Sequence, residues 1–246
     1  MASSKSWVST LTVFLVCGSV VVRAEDGNAH STAAFTSAQV VAEMQRRNEE
    51  RRSELKHYTA VRHYQINYRG FGANLGARME VEVNFDAPAA KSFRIVSQNG
   101  SKLLLEKVLK RLVETEREAA VHQSTTELSA ANYSFALAGT DSVNGRPAYI
   151  LAVQPLTENK LLYRGRIWVD AKDFALVKIE AEPAKNPSFW IARTSILHTY
   201  AKTGNFWLPE QNRTESKIRV GGTAVLTIDY GTYQIQSDAP GRMAGN

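Results

Sequence analysis

The feature that most constrains the fold of this chain is an alternation of apolar and polar residues that begins near Tyr58 and continues almost to Tyr230. Successive side chains of a β-strand point to opposite faces of a sheet, so this alternation is typical of strands with one buried face. Glycine-containing turns interrupt it at 99–100, 144–145 and 221–222, as expected between antiparallel strands. The spacing predicts about ten or eleven strands.

Two segments follow helical spacing instead. At the start of residues 36–55, Thr36 and Gln39 form a capping-box pattern ahead of an apolar stripe. In residues 102–118, one helical face collects Leu104, Leu105, Val108, Leu109, Leu112 and Val113. Two helices are too few for a parallel sheet, and the strands are too many for a plain α/β layer. The predicted fold class is α+β and mainly β: a single curved antiparallel sheet, or open, unclosed β-barrel, with helices covering the concave face.

The N-terminal residues predict an exported protein. Lys5 precedes a charge-free apolar stretch that is too short to span a membrane as a helix. We therefore expect residues 1–24 to be a cleaved signal peptide, residues 25–35 a flexible N-terminus and residues 36–246 one domain without an integral membrane segment. The single cysteine, Cys17, lies inside the signal in a context that disfavours lipidation, so the mature chain has no disulfide.

The charge of the chain argues against a nucleic-acid partner. The formal net charge is +6, and two of the positive residues, Lys5 and Arg23, lie in the predicted signal. The mature chain is therefore only mildly basic, which is a weak basis for binding nucleic acid. Residues 46–52 mix both signs at helical spacing, which is typical of a solvated helix face. Contact with a membrane surface is the alternative interpretation of this run.

No local motif predicts catalysis. None of the five histidines has a His, Asp or Glu partner at the helical spacing of a zinc site, and the sequence contains neither a GxSxG elbow nor a phosphate-binding loop. Glu80 and Glu82 share the polar face of one strand, where a solvated pair is expected. We expect no metal, no cofactor and no catalytic residue. A catalytic triad dispersed along the chain leaves no local spacing, so a hydrolase remains an alternative.

Aromatic residues are concentrated in the alternating segments. Trp168, Trp190 and Trp207 lie there together with several tyrosines, and two helices cover only part of such a surface. The rings either fill a core or line an apolar cavity that holds an acyl chain or another lipid. Arg62 is the lone charge on the apolar face of the first strand. Such an arginine either extends its guanidinium to the sheet edge or anchors a head group or a lid.

Four stretches carry a resemblance to a known family. They are GTDSVNGRPAYILAVQP (139–155), YRGRIWVDAKDFALVKIEAEPA (163–184), YAKTGNFWLPEQNRTES (200–216) and GGTAVLTIDYGTYQI (221–235). In these stretches the chain resembles the LolA/LolB-like superfamily of bacterial periplasmic outer-membrane lipoprotein-sorting proteins. The resemblance implies an open β-barrel with helices plugging its concave side, a cavity between them, and transfer of lipid or lipidated protein without catalysis. It also makes Arg62 the positional candidate for an arginine that holds a helical lid shut.

These observations lead to a functional hypothesis. The chain is expected to be a periplasmic carrier that binds lipid, or the acyl chains of lipoproteins, and delivers them toward the outer membrane. Its partner protein would lie in the outer or the inner membrane. The alternatives are a non-enzymatic envelope-sensing or structural protein with a filled core, and the dispersed hydrolase. The predicted cavity residues are Tyr64, Tyr68, Val81, Val83, Leu104, Val108, Leu112 and Trp168, with Arg62 as lid or head-group anchor.

Overall fold

The computed structural model describes residues 35–70, 72–88, 90–119, 127–159, 161–186 and 188–237. The predicted signal peptide and all but the last residue of the predicted flexible N-terminus lie outside these ranges. That last residue, Phe35, packs edge-on against Phe174 with 5.2 Å between ring centroids. Within the described ranges, no helix combines the length and the apolar character that crossing a bilayer requires.

The described chain forms eleven strands and two helical regions. The strands are β1 (Leu55–Gly70), β2 (Ala73–Asp86), β3 (Ala90–Gly100), β4 (Tyr133–Val143), β5 (Arg146–Pro155), β6 (Tyr163–Asp170), β7 (Leu176–Pro183), β8 (Ile191–Thr203), β9 (Phe206–Ile218), β10 (Thr223–Asp229) and β11 (Gln234–Ser237). Helix α1 spans Ser37–Glu54. The second helical region consists of α2 (Lys102–Leu104), a π-helical turn (Leu105–Leu109) and α3 (Lys110–Ala119) in direct succession. We call this second region the bulged helix.

All eleven strands belong to one sheet. Its order is β3-β2-β1-β10-β9-β8-β7-β6-β5-β4, and β11 pairs with the start of β1. Every neighbouring pair is antiparallel. Strands β3 and β4 form the two edges and do not pair with each other, so the sheet is open. The predicted fold class, an open antiparallel sheet with helices on its concave face, is confirmed.

The strand registers define one continuous inner face, which the helices cover. A single row of paired residues crosses the sheet from β2 to β5: Met79, Tyr64, Ile228, Asn212, His198, Ile179, Ile167 and Leu151. Each of these side chains is buried. The alternation in the sequence therefore marks the two faces of the sheet correctly, because the pleat repeats every two residues.

Helix α1 covers the half of the inner face formed by β4 to β8. Thr36 caps the helix: its hydroxyl accepts a hydrogen bond from the Gln39 backbone at 3.2 Å, and the Gln39 side chain accepts from the Thr36 backbone at 2.8 Å. Both bonds form the predicted capping box. On its buried face, Val40, Val41 and Met44 pack against sheet residues and form one apolar core with them. On the solvent side, arginines and glutamates of the charged run pair within the helix, as their spacing predicts.

The bulged helix covers the other half, formed by β1, β2 and β10. Its π-helical turn inserts extra backbone between Leu104 and Lys110, so the inner position one turn after Leu104 is taken by Leu109. Leu109 is fully buried, whereas Val108 is only partly buried against the same core. In the sequence both residues lie on the predicted apolar stripe, and Val108 was the one expected to line the cavity. The π-turn is the reason for the difference.

Candidate binding site beneath the bulged helix

The site begins with the apolar floor that the sheet presents to the bulged helix. From the predicted set, the structure brings five buried residues into this core: Tyr64, Val81, Val83, Leu104 and Leu112. Val108 packs against the same core from a partly buried position. The floor is made by the inward positions of β1 and β2, which pair directly over their full length. The proposed cavity residues from these two strands and from the helix are therefore neighbours.

Two predicted residues are not brought to this core. Tyr68 lies further along β1, is half-buried, and donates a hydrogen bond from its hydroxyl to the carbonyl oxygen of Gly221 at 3.1 Å. Trp168 lies on the outer face of the sheet, because its neighbours Ile167 and Val169 both occupy the inner face. Its indole nitrogen donates to Asp141 at 2.9 Å. Trp168 is therefore not a residue of this site.

Arg62 is the polar centre of the floor. Only 2% of it is exposed, so the guanidinium does not reach the sheet edge. Its Nη1 atom donates to both carboxylate oxygens of Glu116 on α3, at 2.8 Å each. Lys91 at the start of β3 lies 3.6 Å from the same carboxylate. An ion pair that is buried at Arg62 and 12% exposed at Glu116 thus joins the inner face of β1 to the last part of the bulged helix.

Electrostatics keep both members of this pair charged. Burial by itself would raise the pKa of Glu116, but the positive charges of Arg62 and Lys91 outweigh burial and hold that pKa below its ordinary value. Burial likewise disfavours the charge on Arg62, but the Glu116 carboxylate reverses the effect and raises the pKa of Arg62. Removing either partner would leave an uncompensated charge in a buried place, which is costly.

Aromatic rings surround the guanidinium. The Tyr230 ring lies 4.7 Å from the central carbon of Arg62, within the range of a cation–π contact. Tyr230 reaches this position because the chain turns at Gly231, which has a φ of 63° and where a Cβ would lie 2.2 Å from the Val61 carbonyl oxygen. His198 stacks on Tyr230 with 5.7 Å between ring centroids.

His198 is neutral in this environment. Burial, reinforced by the nearby charge of Arg62, lowers its pKa to about 3. A histidine that binds protons so weakly is a poor general base near neutral pH. The described residues also contain no group of three or more His, Cys, Asp or Glu side chains placed to hold a metal ion.

A row of buried polar residues on β8 and β9 separates the two apolar cores. It contains Thr194, His198, Asn212, Thr214 and Ser216. Within it, the Thr194 and Ser216 hydroxyls lie 3.0 Å apart, and Thr214 donates to the Asn212 side chain at 3.0 Å. The row was not predicted from the sequence, because the two strands are polar on both faces.

A signal for the row was nevertheless present in β9. Its outward positions Arg213, Glu215 and Lys217 are charged, whereas the alternating inward positions are uncharged. Burying a charge is much more costly than burying a neutral polar group, so this difference alone identifies the inner face.

Comparisons with known proteins find structural likeness only. No family model matches the sequence, and no curated protein matches it. A DUF1329 family protein from Desulfovibrio piger has 15% sequence identity and a TM-score of 0.40, with 80% of this chain and 91% of that chain covered. A LolA superfamily protein from Nitrosomonas europaea has 13% identity and a TM-score of 0.38, with 83% and 95% covered. At such values the likeness concerns architecture and is no evidence of function.

Proposed function

We propose that the chain is a periplasmic carrier that binds lipid, or the acyl chains of lipoproteins, between the bulged helix and the sheet. One observation carries this proposal: a helix with an apolar face lies over a mostly apolar floor, and the ion pair between Arg62 and Glu116 attaches it there. Separation of the helix from the floor would expose two facing apolar surfaces. An acyl chain is the kind of ligand that would cover both of them.

In this proposal the pair of Arg62 and Glu116 works as a latch. A buried ion pair adds little net stability compared with apolar residues of similar size, because desolvation offsets most of the attraction. Its contribution is positional: it fixes where α3 lies on the sheet. A ligand that lifts α3 has to separate this pair, so the latch favours the closed state until a ligand supplies apolar contacts in exchange.

The sequence supports an exported location for this activity. The predicted signal peptide in residues 1–24 leads to the periplasm, and delivery of the ligand toward the outer membrane completes the proposed role. Partner proteins at the inner or outer membrane would supply and receive the ligand. We propose no nucleic-acid partner.

The test is native mass spectrometry of the protein purified from a bacterial periplasm, for the wild type and for Val108→Trp. We expect the wild type to carry lipid. Val108→Trp should lose it while keeping its thermal stability, because Val108 is only partly buried and the larger ring would lie at the boundary between helix and floor, where the acyl chain is proposed to enter. Val61→Trp, on the exposed outer face of β1, is the matched control and should carry lipid normally.

Other results would contradict the proposal. A wild-type protein that is always empty would favour the non-enzymatic envelope-sensing or structural alternative with a filled core. A Val108→Trp protein that loses about 1 to 3 kcal/mol of stability through overpacking, with no ligand to lose, would lead to the same conclusion. Turnover of ester substrates that disappears when one serine or histidine is replaced would favour the hydrolase.

A further inference from the structure

Around Arg62 the structure contains polar atoms that are buried and have no hydrogen-bond partner among the described residues. They are the Nε atom of Arg62, the hydroxyl oxygens of Tyr64 and Tyr230, and the Nε2 atom of His198. The four residues are between 1% and 3% exposed. Buried donors without partners are costly, and folded proteins contain few of them. Four such atoms on one inner face therefore require an explanation.

The four residues form one cluster of neighbouring side chains. Arg62 and Tyr64 lie two residues apart on the inner face of β1, and Tyr230 places its ring against the guanidinium. His198 stacks on Tyr230, and the two rings are nearly parallel, at 10° to each other. Arg62 uses its Nη1 atom for Glu116, so the Nε edge of the guanidinium is the unpartnered side.

The chemistry of this cluster is that of hydrogen-bond donation. Burial raises the pKa of Tyr64 to about 12 and also raises the pKa of Tyr230, so both hydroxyls carry their protons at neutral pH. The Arg62 Nε–H is a third donor, and the neutral His198 ring can present Nε2 as a fourth through its choice of tautomer. Carboxylate and phosphate oxygens are the acceptors that such a set of donors binds best.

The charges of the cluster point to a ligand with a single negative charge. Arg62 and Lys91 are positive and Glu116 is negative, so the three interacting groups sum to one positive charge. His198 adds none. A monoanion placed on the Nε edge of Arg62 would balance this charge while Glu116 keeps its own bond to Nη1.

We propose that this donor cluster binds the monoanionic head group of an acyl-chain ligand, a carboxylate or a phosphodiester, whose chain extends over the apolar floor beneath the bulged helix. This proposal rests on the proposed carrier function and narrows its ligand class to singly charged acidic amphiphiles. Neutral esters and alcohols of the same chain length would leave the positive charge unbalanced. The donors would then be only partly satisfied.

The experiment compares ligands that share one chain. Binding of palmitate, methyl palmitate and palmitoyl lysophosphatidylglycerol to the full mature protein is measured by displacement of an apolar fluorescent probe. We expect at least one of the two anions to bind on the order of ten-fold or more tightly than methyl palmitate, since hydrogen bonds to a charged group are the strong ones. The carboxylate and the phosphodiester identify which kind of head group the site accepts.

A double variant, Tyr64→Phe with Tyr230→Phe, removes two donors and keeps both rings. It should bind the preferred anion roughly ten-fold more weakly and methyl palmitate unchanged. The matched control is Tyr133→Phe, in the α1 core, where the hydroxyl already accepts a bond from the Tyr163 backbone at 3.3 Å. It should keep the wild-type preference for the anion.

The outcomes separate this proposal from the carrier function. If wild-type protein binds methyl palmitate as tightly as both anions, the head-group site is overturned and the carrier function stands, with ordered water filling the cluster. If none of the three ligands binds, the carrier function itself is overturned. If the double variant does not fold, the comparison of ligands on the wild type decides alone.

Discussion

The two halves of the inner face are built differently. Under α1, a regular and capped helix buries Val40, Val41 and Met44, and Arg51 on its last turn donates to the backbone oxygens of Asp173 and Phe174 at 2.9 and 3.3 Å. Under the bulged helix, the backbone contains a π-turn and an ion pair lies between helix and sheet. Close to that pair, the Nε atom of Arg62 and the hydroxyls of Tyr64 and Tyr230 lack partners in the described residues, and in the α1 half the Nε atom of Arg164 also lacks one.

This difference indicates that the two halves have different roles. A regular, capped helix with a mostly apolar buried face is the arrangement that stability alone favours. π-turns and unpartnered buried polar atoms are unfavourable locally and occur frequently at functional sites. We therefore infer that the α1 half mainly stabilises the fold and that the bulged-helix half binds the ligand.

The largest effect is expected at the latch. Arg62→Met should destabilise the protein by about 3 to 5 kcal/mol, because it leaves the Glu116 carboxylate buried without its main partner. Urea-induced unfolding measures the change. The double variant Arg62→Met with Glu116→Met should recover most of this loss, since it removes both charges together. A single variant that loses less than about 1 kcal/mol would show that the pair is effectively solvated, and the contrast between the halves would fail.

A core substitution in each half sharpens the comparison. Met44→Ala and Leu109→Ala each remove a side chain that is at most 2% exposed, and each should cost about 3 kcal/mol in chemical unfolding. Lipid binding, measured well below the melting temperature, should be unchanged in Met44→Ala and altered in Leu109→Ala, whose cavity lies next to the proposed ligand. Equal effects on binding would mean that the two halves act as one unit.

A smaller effect concerns pH and His198. Its pKa is lowered to about 3 in the folded protein by burial and by the charge of Arg62, whereas an unfolded histidine titrates near its ordinary value of about 6.5. Protons therefore bind the unfolded state first as the pH falls. The stability contributed by the neutral ring is complete above about pH 6.5 and is lost progressively toward pH 3. Between pH 7 and pH 5 this loss amounts to roughly 2 kcal/mol.

Urea unfolding at several pH values tests this prediction. His198→Phe keeps an aromatic ring between Tyr200 and Tyr230 and removes the titrating group, so its stability should fall by roughly 2 kcal/mol less than that of the wild type over the same interval. Parallel pH curves for the two proteins would mean that His198 is accessible to protons in the folded state. The buried polar row would then belong to a solvated channel.

Much of the fold could be predicted from the sequence, and some of the site could have been. Glu116 follows Leu112 by four residues and Val113 by three, so it continues the apolar stripe of the helix. A lone acid on an apolar stripe was a sign of a buried partner, just as Arg62 was on β1. The alternation also set Trp168 on the face opposite to Ile167 and Val169, although its size alone had suggested a cavity residue.

Other parts of the site had no local signal. The π-turn exchanges Val108 for Leu109 at the inner position, and both residues are equally apolar in the sequence. Which of them faces the floor depends on how the helix fits the sheet beneath it. Periodicity arguments assume a regular helix and cannot detect one inserted residue.

The sequence by itself determined the strands, both helices and the inner face, because the pleat and the helical turn are properties of residues close together in the chain. Only the tertiary structure decided which polar groups meet. Arg62 and Glu116 are 54 positions apart, and His198 and Tyr230 lie on different segments that become neighbours only when β1, β8, β9 and β10 assemble in this order. Contacts of this kind depend on the arrangement of the whole sheet, and no local pattern of residues specifies them.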